Sequence, residues 1–228
     1  QFRMLNRSRG PAVHGPRSQA DRKLYKRAIS NLLLSEENVT ILEGTVKDFT
    51  IKNNVITKIV LKNDDFIKAK SVVLTTGTFL GGIIHIGNDR IPAGRIGDEP
   101  SNHLSKKIRE LNLPIGRLKT GTPPRLLKTS INWNNVEMQS ADNDPIPFSY
   151  MTKKIYTQQI QCGITRTNTN THNIISDNLN LSPVYSGSIQ SSGPRYCPSI
   201  EDKVSRFFEK DSHQIFLEPE GLDSPLVY

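Results

Sequence analysis

Little in this sequence ties it down chemically. It contains two cysteines, Cys162 and Cys197, among 228 residues. That is too few for the disulfide framework of a small secreted domain, and it fits a reducing, cytoplasmic setting. No run of about 18 apolar residues occurs, so no membrane span is expected, and no secretory leader is visible. The five histidines are scattered and share no ligand spacing with the cysteines, so no metal site is expected. There is no internal repeat of the kind that marks a solenoid. Apolar residues make up 35%, low for a compact globule. The opening QFRMLNRSRG has no initiating Met, and the close IFLEPEGLDSPLVY stops just after a strand-like run. Both are expected of a piece of a longer protein.

What is present is a basic surplus, 30 Lys and Arg against 22 Asp and Glu, for a net charge of +8. A surplus of this size suits a polyanionic ligand or partner, or simply a basic solvated surface. The length suffices for one large domain or two small ones. SQADRKLYKRAISNLLL predicts a helix over 19–34, capped by Ser18 with Asp21 three residues on. Its apolar stripe is Leu24, Ala28, Ile29, Leu32 and Leu33. Short β-rich runs follow, VTILEG, TVKDFTIK and VITKIVLK, separated by turn signals at Asn53-Asn54 and Asn63-Asp64-Asp65. They read as an antiparallel meander. The run Val72-Val73-Leu74 then predicts a strand buried on both faces, ending in Thr-Gly-Thr. Ligands of open α/β sheets bind at such strand ends.

Asp98 or Ser101 is placed to cap a helix carrying Leu104, Ile108 and Leu111. GRLKTGTPPRLL then gathers Arg117, Lys119 and Arg125 in a proline-stiffened loop. Those three side chains suit phosphate or carboxylate, or a basic surface. Past residue 126 the chain becomes rich in Asn, Ser, Thr and Gln. An alternating strand there puts Ile160, Cys162 and Ile164 on one face, which predicts a core role for Cys162. Thr171 is placed to cap a short helix with Ile174 and Ile175, and 214–218 reads as a strand. In GPRYCPSIEDK, Ser199 and Asp202 have capping-box spacing ahead of Ile200, Val204, Phe207 and Phe208. Cys197 precedes that cap. Free helix N–H groups and Arg195 favour its thiolate, while Glu201 and Asp202 oppose it. A reactive thiol, a ligand-cradling loop and ordinary packing all remain open on local grounds.

Several long motifs, in order, resemble the GidA (MnmG) family of flavoproteins that modify the wobble uridine of tRNA. They are QFRMLNRSRGPAV, RSQAD, LTTGTFLGGIIHIG, GRIGDEPS, GRLKTGTPPR, SGPRYCPSIEDKVSRF and HQIFLEPEGLDS. The resemblance implies an α/β fold. Part of a glutathione-reductase-like FAD-binding domain with a β-meander would span 1–125. An inserted α+β NAD-binding domain would span 126–213, and 214–228 would return to the FAD domain. It further implies a cytoplasmic homodimer that works with a GTPase of the MnmE type and has no membrane association. Such an enzyme uses FAD and NADH, with methylenetetrahydrofolate as carbon donor. It installs a carboxymethylaminomethyl or aminomethyl group at the 5-position of the uracil.

Residue by residue, Val46, Gly77, Thr78 and Ser101 match FAD contacts of the family. The run Gly193, Pro194, Arg195, Tyr196, Cys197, Pro198, Ser199, Ile200, Glu201, Asp202, Lys203, Val204, Ser205, Arg206 and Phe207 matches its NAD-associated segment. Cys197 resembles a catalytic thiol that adds to the uracil ring, and Arg117, Lys119 and Arg125 lie in a loop resembling one near the tRNA surface. Three positions depart from the family. Its usual GDPPS reads GDEPS, with Glu99 for proline, and its CYITHTN reads CGITRTN, with Gly163 for an aromatic and Arg166 for histidine. The family's strand–GxGxxG–helix, a second catalytic cysteine and the carboxyl-terminal helical domain have no counterpart, so the chain is expected to be the middle of such an enzyme. An inactive fragment that keeps only binding or dimerisation surfaces is the alternative. A related folate- and FAD-dependent tRNA methyltransferase fits the RLKTGTPPR and GPRYCPSIEDK motifs less well.

Overall fold

The computed structural model describes residues 1–189 and 199–228. In chain order the elements are β1 (Phe2–Leu5), β2 (Gly15–Ser18), α1 (Arg22–Leu34), β3 (Val46–Lys52), β4 (Val55–Leu61), β5 (Phe66–Ile67), β6 (Ile83–Ile86), β7 (Asp89–Pro92) and α2 (Asn102–Arg109). There follow β8 (Leu126–Leu127), β9 (Glu137–Gln139), β10 (Cys162–Arg166), α3 (Thr169–Asp177), α4 (Ile200–Arg206), β11 (Gln214–Leu217) and β12 (Leu226–Val227). These belong to two compact units. One comprises 1–39, 120–177 and 198–228; the other comprises 40–119 and 178–197. Among the described residues no helix is long and apolar enough to cross a membrane.

The unit of residues 40–119 is built on the meander. Val, Ile, Thr and Phe alternate with charged residues over 46–61, which suits a half-buried pleated surface. Asn53 and Asn54 supply the two positive φ angles (50° and 62°) of the two-residue hairpin turn joining β3 to β4. The sheet order is β3-β4-β5, so β3 is an edge strand. Phe49 and Ile59 lie opposite each other in register and meet Leu104 of α2 in the buried cluster. Val46, Ile56, Ile67, Val72, Leu80 and Ile108 close around it. Burying Phe49, 1% exposed, contributes about 1.5–3 kcal/mol by apolar transfer alone. In the hairpin β6–β7, Gly87 takes the left-handed turn position (φ 55°).

The other unit holds three small sheets: β1-β2, β9-β10-β11 and β8-β12. The central strand β10 buries Cys162 and Ile164, as its alternation predicts, and β11 adds Leu217. Arg17 at the end of β2 donates two hydrogen bonds to the Glu218 carboxylate, at 2.7 and 3.0 Å, and so ties the β1–β2 hairpin to the strand after β11. Glu218 and Tyr228 exchange backbone hydrogen bonds at 2.8 and 3.0 Å, holding β12 beside it.

Several elements differ from the sequence reading. The first helix begins at Arg22 and is capped by Asp21, which accepts the Leu24 N–H at 2.8 Å; Ser18 belongs to β2. Asp21 also accepts the Leu222 N–H at 2.8 Å. The Leu24 N–H, then the Leu222 N–H, hold its carboxyl below the usual range. The stripe Leu24, Ile29, Leu32 and Leu33 is exposed, and α1 buries no residue. Residues 39–44 and 71–76 form no strand. A strand needs neighbours for its N–H and C=O groups, and none of the described strands runs beside either stretch. Val73 is 83% exposed, although Val72 packs on the meander core. Finally, α3 is capped by Asn168, whose side chain accepts the Thr171 N–H at 3.0 Å, rather than by Thr171.

Candidate functional site

A cleft of about 820 Å³ opens along β3, and α2 forms its other wall. Val46 lies on one side; Pro100, Ser101 and Leu104 lie on the other. The local sequence explains the shape. Pro100 cannot extend a helix backwards, so α2 starts at Asn102, directly after Ser101. Leu104 and Ile108 anchor α2 on the meander core and leave its first turn at the cleft. The edge position of β3 leaves one rank of its backbone N–H and C=O groups without a strand partner among the described residues. Such groups can pair with the hydrogen-bonding edge of a planar heterocycle.

The rim is charged. Lys107 reaches Asp48 at 3.6 Å and Glu110 at 3.5 Å, and Lys62 pairs with Glu99 across the rim. The hydrogen bond from Lys62, and then its charge, hold the Glu99 carboxyl below the usual range. Glu99 is the residue at which GDEPS departs from the GDPPS expected from the resemblance. Sequence reasoning did not find the pair, because Lys62 lies 37 positions away at the end of the meander.

The remaining FAD candidates, Gly77 and Thr78, are exposed and do not line this cleft. Gly77 has φ 65°, a left-handed conformation that glycine adopts readily, in a turn rather than at the end of the expected strand. Arg117 is exposed and donates to the Gly81 carbonyl at 3.2 Å, and Lys119 is half-buried. Arg125, in the other unit, donates to the Glu220 carboxylate and the Pro123 carbonyl, each at 2.7 Å, and lies 5.0 Å from the Tyr228 ring centre.

Of the nucleotide segment, Gly193, Pro194, Arg195, Tyr196, Cys197 and Pro198 lie outside the described residues. Ser199 through Phe207 are described. Ser199 and Asp202 form the capping box their spacing predicts: the Ser199 N–H and Oγ reach Asp202 Oδ2 at 3.3 and 3.0 Å. Val204 is the buried residue of α4. Beneath the end of α4 lies a polar cluster that the sequence did not reveal. Thr167 directly follows β10, His172 lies in α3, and His213 directly precedes β11. Thr167 and His213 exchange backbone-level hydrogen bonds: the Thr167 N–H donates to the His213 carbonyl at 2.9 Å, and the His213 N–H donates to Thr167 Oγ1 at 2.7 Å. Thr167 Oγ1 also lies 2.8 Å from His172 Nε2. The two imidazoles stack at 5.2 Å with 25° between planes, and the Phe207 ring meets His213 at 6.4 Å. His213 is 8% exposed, and its buried Nε2 has no hydrogen-bond partner among the described residues.

Gly163 also finds an explanation. A Cβ there would lie 2.8 Å from Val136 Cγ1, 3.1 Å from Trp133 Cζ3 and 3.2 Å from Leu217 Cβ. The space an aromatic would need over β10 is taken by Trp133 and Val136. Arg166, the other departure in this strand, is exposed. Among the described residues no group of three or more His, Cys, Asp or Glu side chains is arranged to hold a metal.

Comparison with known proteins accounts for the order of these motifs. The family model "Glucose inhibited division protein A" matches residues 1–228. Two relatives named tRNA uridine 5-carboxymethylaminomethyl modification enzyme MnmG align along all of the chain: that of Granulibacter bethesdensis at 51% identity and that of Thermodesulfovibrio yellowstonii at 53%. The chain spans 37% and 36% of their lengths. The structure of Aquifex aeolicus GidA superposes along the whole chain in two crystal forms. The TM-scores are 0.87 and 0.85, at 43% and 41% identity, over 39% and 37% of the solved chains. With a family model matched from the first residue to the last, this chain belongs to the glucose inhibited division protein A family.

Proposed function

We propose that these residues are part of a cytoplasmic, dimeric flavoenzyme that modifies the wobble uridine of tRNA, with FAD and NADH as cofactors. In this reading a GTPase partner takes part, methylenetetrahydrofolate donates the carbon, and the product carries a carboxymethylaminomethyl or aminomethyl group at the 5-position. The observation that carries the reading is the cleft, which brings Val46 and Ser101 together from sequence positions far apart. Those two were expected at FAD from the motifs alone.

The cleft fits an adenine nucleotide. An edge-strand backbone at Val46 offers a donor and an acceptor to adenine, and the Ser101 hydroxyl and a lysine-lined rim suit ribose and phosphate. FAD bound there would supply the redox chemistry, and the residues described here would hold its adenosine end. Thr167, His172 and His213 would seat α4, which carries the Ser199–Phe207 part of the NAD-associated segment. Cys197 would act on the substrate. Its thiolate adds to C6 of the uracil and makes C5 nucleophilic toward the one-carbon unit, and loss of the C5 proton with expulsion of the thiolate restores the ring. Arg117, Lys119 and Arg125 would face the tRNA backbone.

The test is reconstitution. Full-length protein, the GTPase, NADH, the folate and glycine or ammonium are incubated with unmodified tRNA, and the wobble nucleoside is read by mass spectrometry. The expected outcome is modification at that nucleoside, lost in Cys197→Ser. Modification of a uridine elsewhere would favour the methyltransferase reading, and wild-type activity of Cys197→Ser would remove the nucleophile role.

A further inference from the structure

We infer that Thr167, His172 and His213 form a positioning unit for α4, one that holds only while the His213 imidazole is neutral, so that mild acid releases the helix. The geometry carries this. Thr167 Oγ1 accepts the His213 N–H at 2.7 Å, lies 3.4 Å from the His213 carbonyl and stands 2.8 Å from His172 Nε2, so one hydroxyl joins the two histidines. The His213 ring is held between His172 and Phe207, at the carboxyl end of α4.

The His213 imidazolium would carry an N–H at a buried Nε2 that meets no acceptor among the described residues. The groups facing His213 are His172 from α3, Lys203 from α4, and Lys210 and Glu209 from the turn that follows. Burial is the largest influence and lowers its basicity below the usual histidine range. His172, Lys203 and Lys210 act in the same direction, and Glu209 opposes them more weakly.

The sign follows from proton linkage. A histidine that resists protonation in the packed state binds more protons once released. The packed state is therefore fully favoured above the ordinary value of 6.5 and loses ground as pH falls below it. Because the Phe207 ring, directly after α4, packs on His213, and α4 itself packs on the helix that carries His172, opening of the cluster frees the helix. The regulatory meaning, pH-dependent NADH affinity, rests on the reading of Ser199–Phe207 as part of the NAD segment. The latch itself does not.

The experiment is hydrogen exchange by mass spectrometry on the full-length protein between pH 5 and 8, corrected for intrinsic rates, with NADH titrations alongside. Peptides covering 200–207 should open up to about tenfold more for each pH unit below 6.5, the limit for one linked proton. Peptides covering α2 should not change. His213→Phe keeps a ring in the stack but cannot take a proton, so it should flatten the profile. Where that variant does not fold, imidazole NMR of the wild type decides: His213 should titrate below 6.5, together with α4 opening. Equal pH profiles for wild type and His213→Phe, or normal His213 titration without α4 opening, would overturn the inference. Failure to bind NADH at any pH, with the exchange profile as expected, would sink the dinucleotide reading and leave the latch standing.

Discussion

The two units of this chain build their interiors differently. The core packed on the meander is apolar: Phe49, Ile59 and Leu104 meet with no polar side chain among them. The β9-β10-β11 unit buries Cys162, Ile164 and Leu217, and also Thr167, His213 and Glu218. An apolar core answers to volume, because each methylene removed leaves a cavity and lost contacts. A core with polar members answers to partners and to pH, because an unmatched donor or acceptor there keeps its desolvation cost. The charges of the meander unit, by contrast, sit at the rim of its cleft in water, where ion pairs contribute little.

The largest effect expected is Phe49→Ala, a loss of about 3–5 kcal/mol of stability in denaturant unfolding of the full-length protein. The loss should be the same at pH 8 and pH 5.5; a loss that changes with pH would blur the distinction between the units. Next comes Thr167→Val, which keeps the shape and deletes the hydroxyl. It strips the His213 N–H and His172 Nε2 of their shared partner and should cost about 1–3 kcal/mol. A neutral outcome would mean that the polar members of this interior contribute nothing. Glu218→Ala removes both acceptors of a half-exposed Arg17, and about 1–2 kcal/mol is expected once solvent screening of the arginine is allowed for. At the small end, Glu99→Pro breaks the rim pair with Lys62. The thermal midpoint should not move, while a salt titration of FAD affinity should lose part of its slope. A large drop in midpoint would show that the rim pair holds the unit together.

Legibility in the sequence followed whether an element depends on its own residues or on distant ones. The Asn53-Asn54 hairpin, the Ser199–Asp202 box and the burial of Cys162 are local patterns, and each could be read directly. The α1 stripe shows the limit of periodicity: 3.6-residue spacing names the face a helix would bury, and whether a partner is there lies elsewhere in the chain. Val72-Val73-Leu74 fails as a strand for the same reason. At the candidate sites, the motifs named Val46 and Ser101, and the fold put both on one cleft. Neither the Lys62–Glu99 pair nor the Thr167–His172–His213 cluster had a sequence signal, because each joins side chains through tertiary contacts between separate elements.

The most direct test of the cofactor reading is hydrogen exchange of the full-length apoprotein with and without FAD. Slowed exchange is expected along Thr45–Asp48 of β3 and Ser101–Leu104 at the start of α2, the two walls of the cleft. FAD binding with protection elsewhere and none on these walls would contradict it.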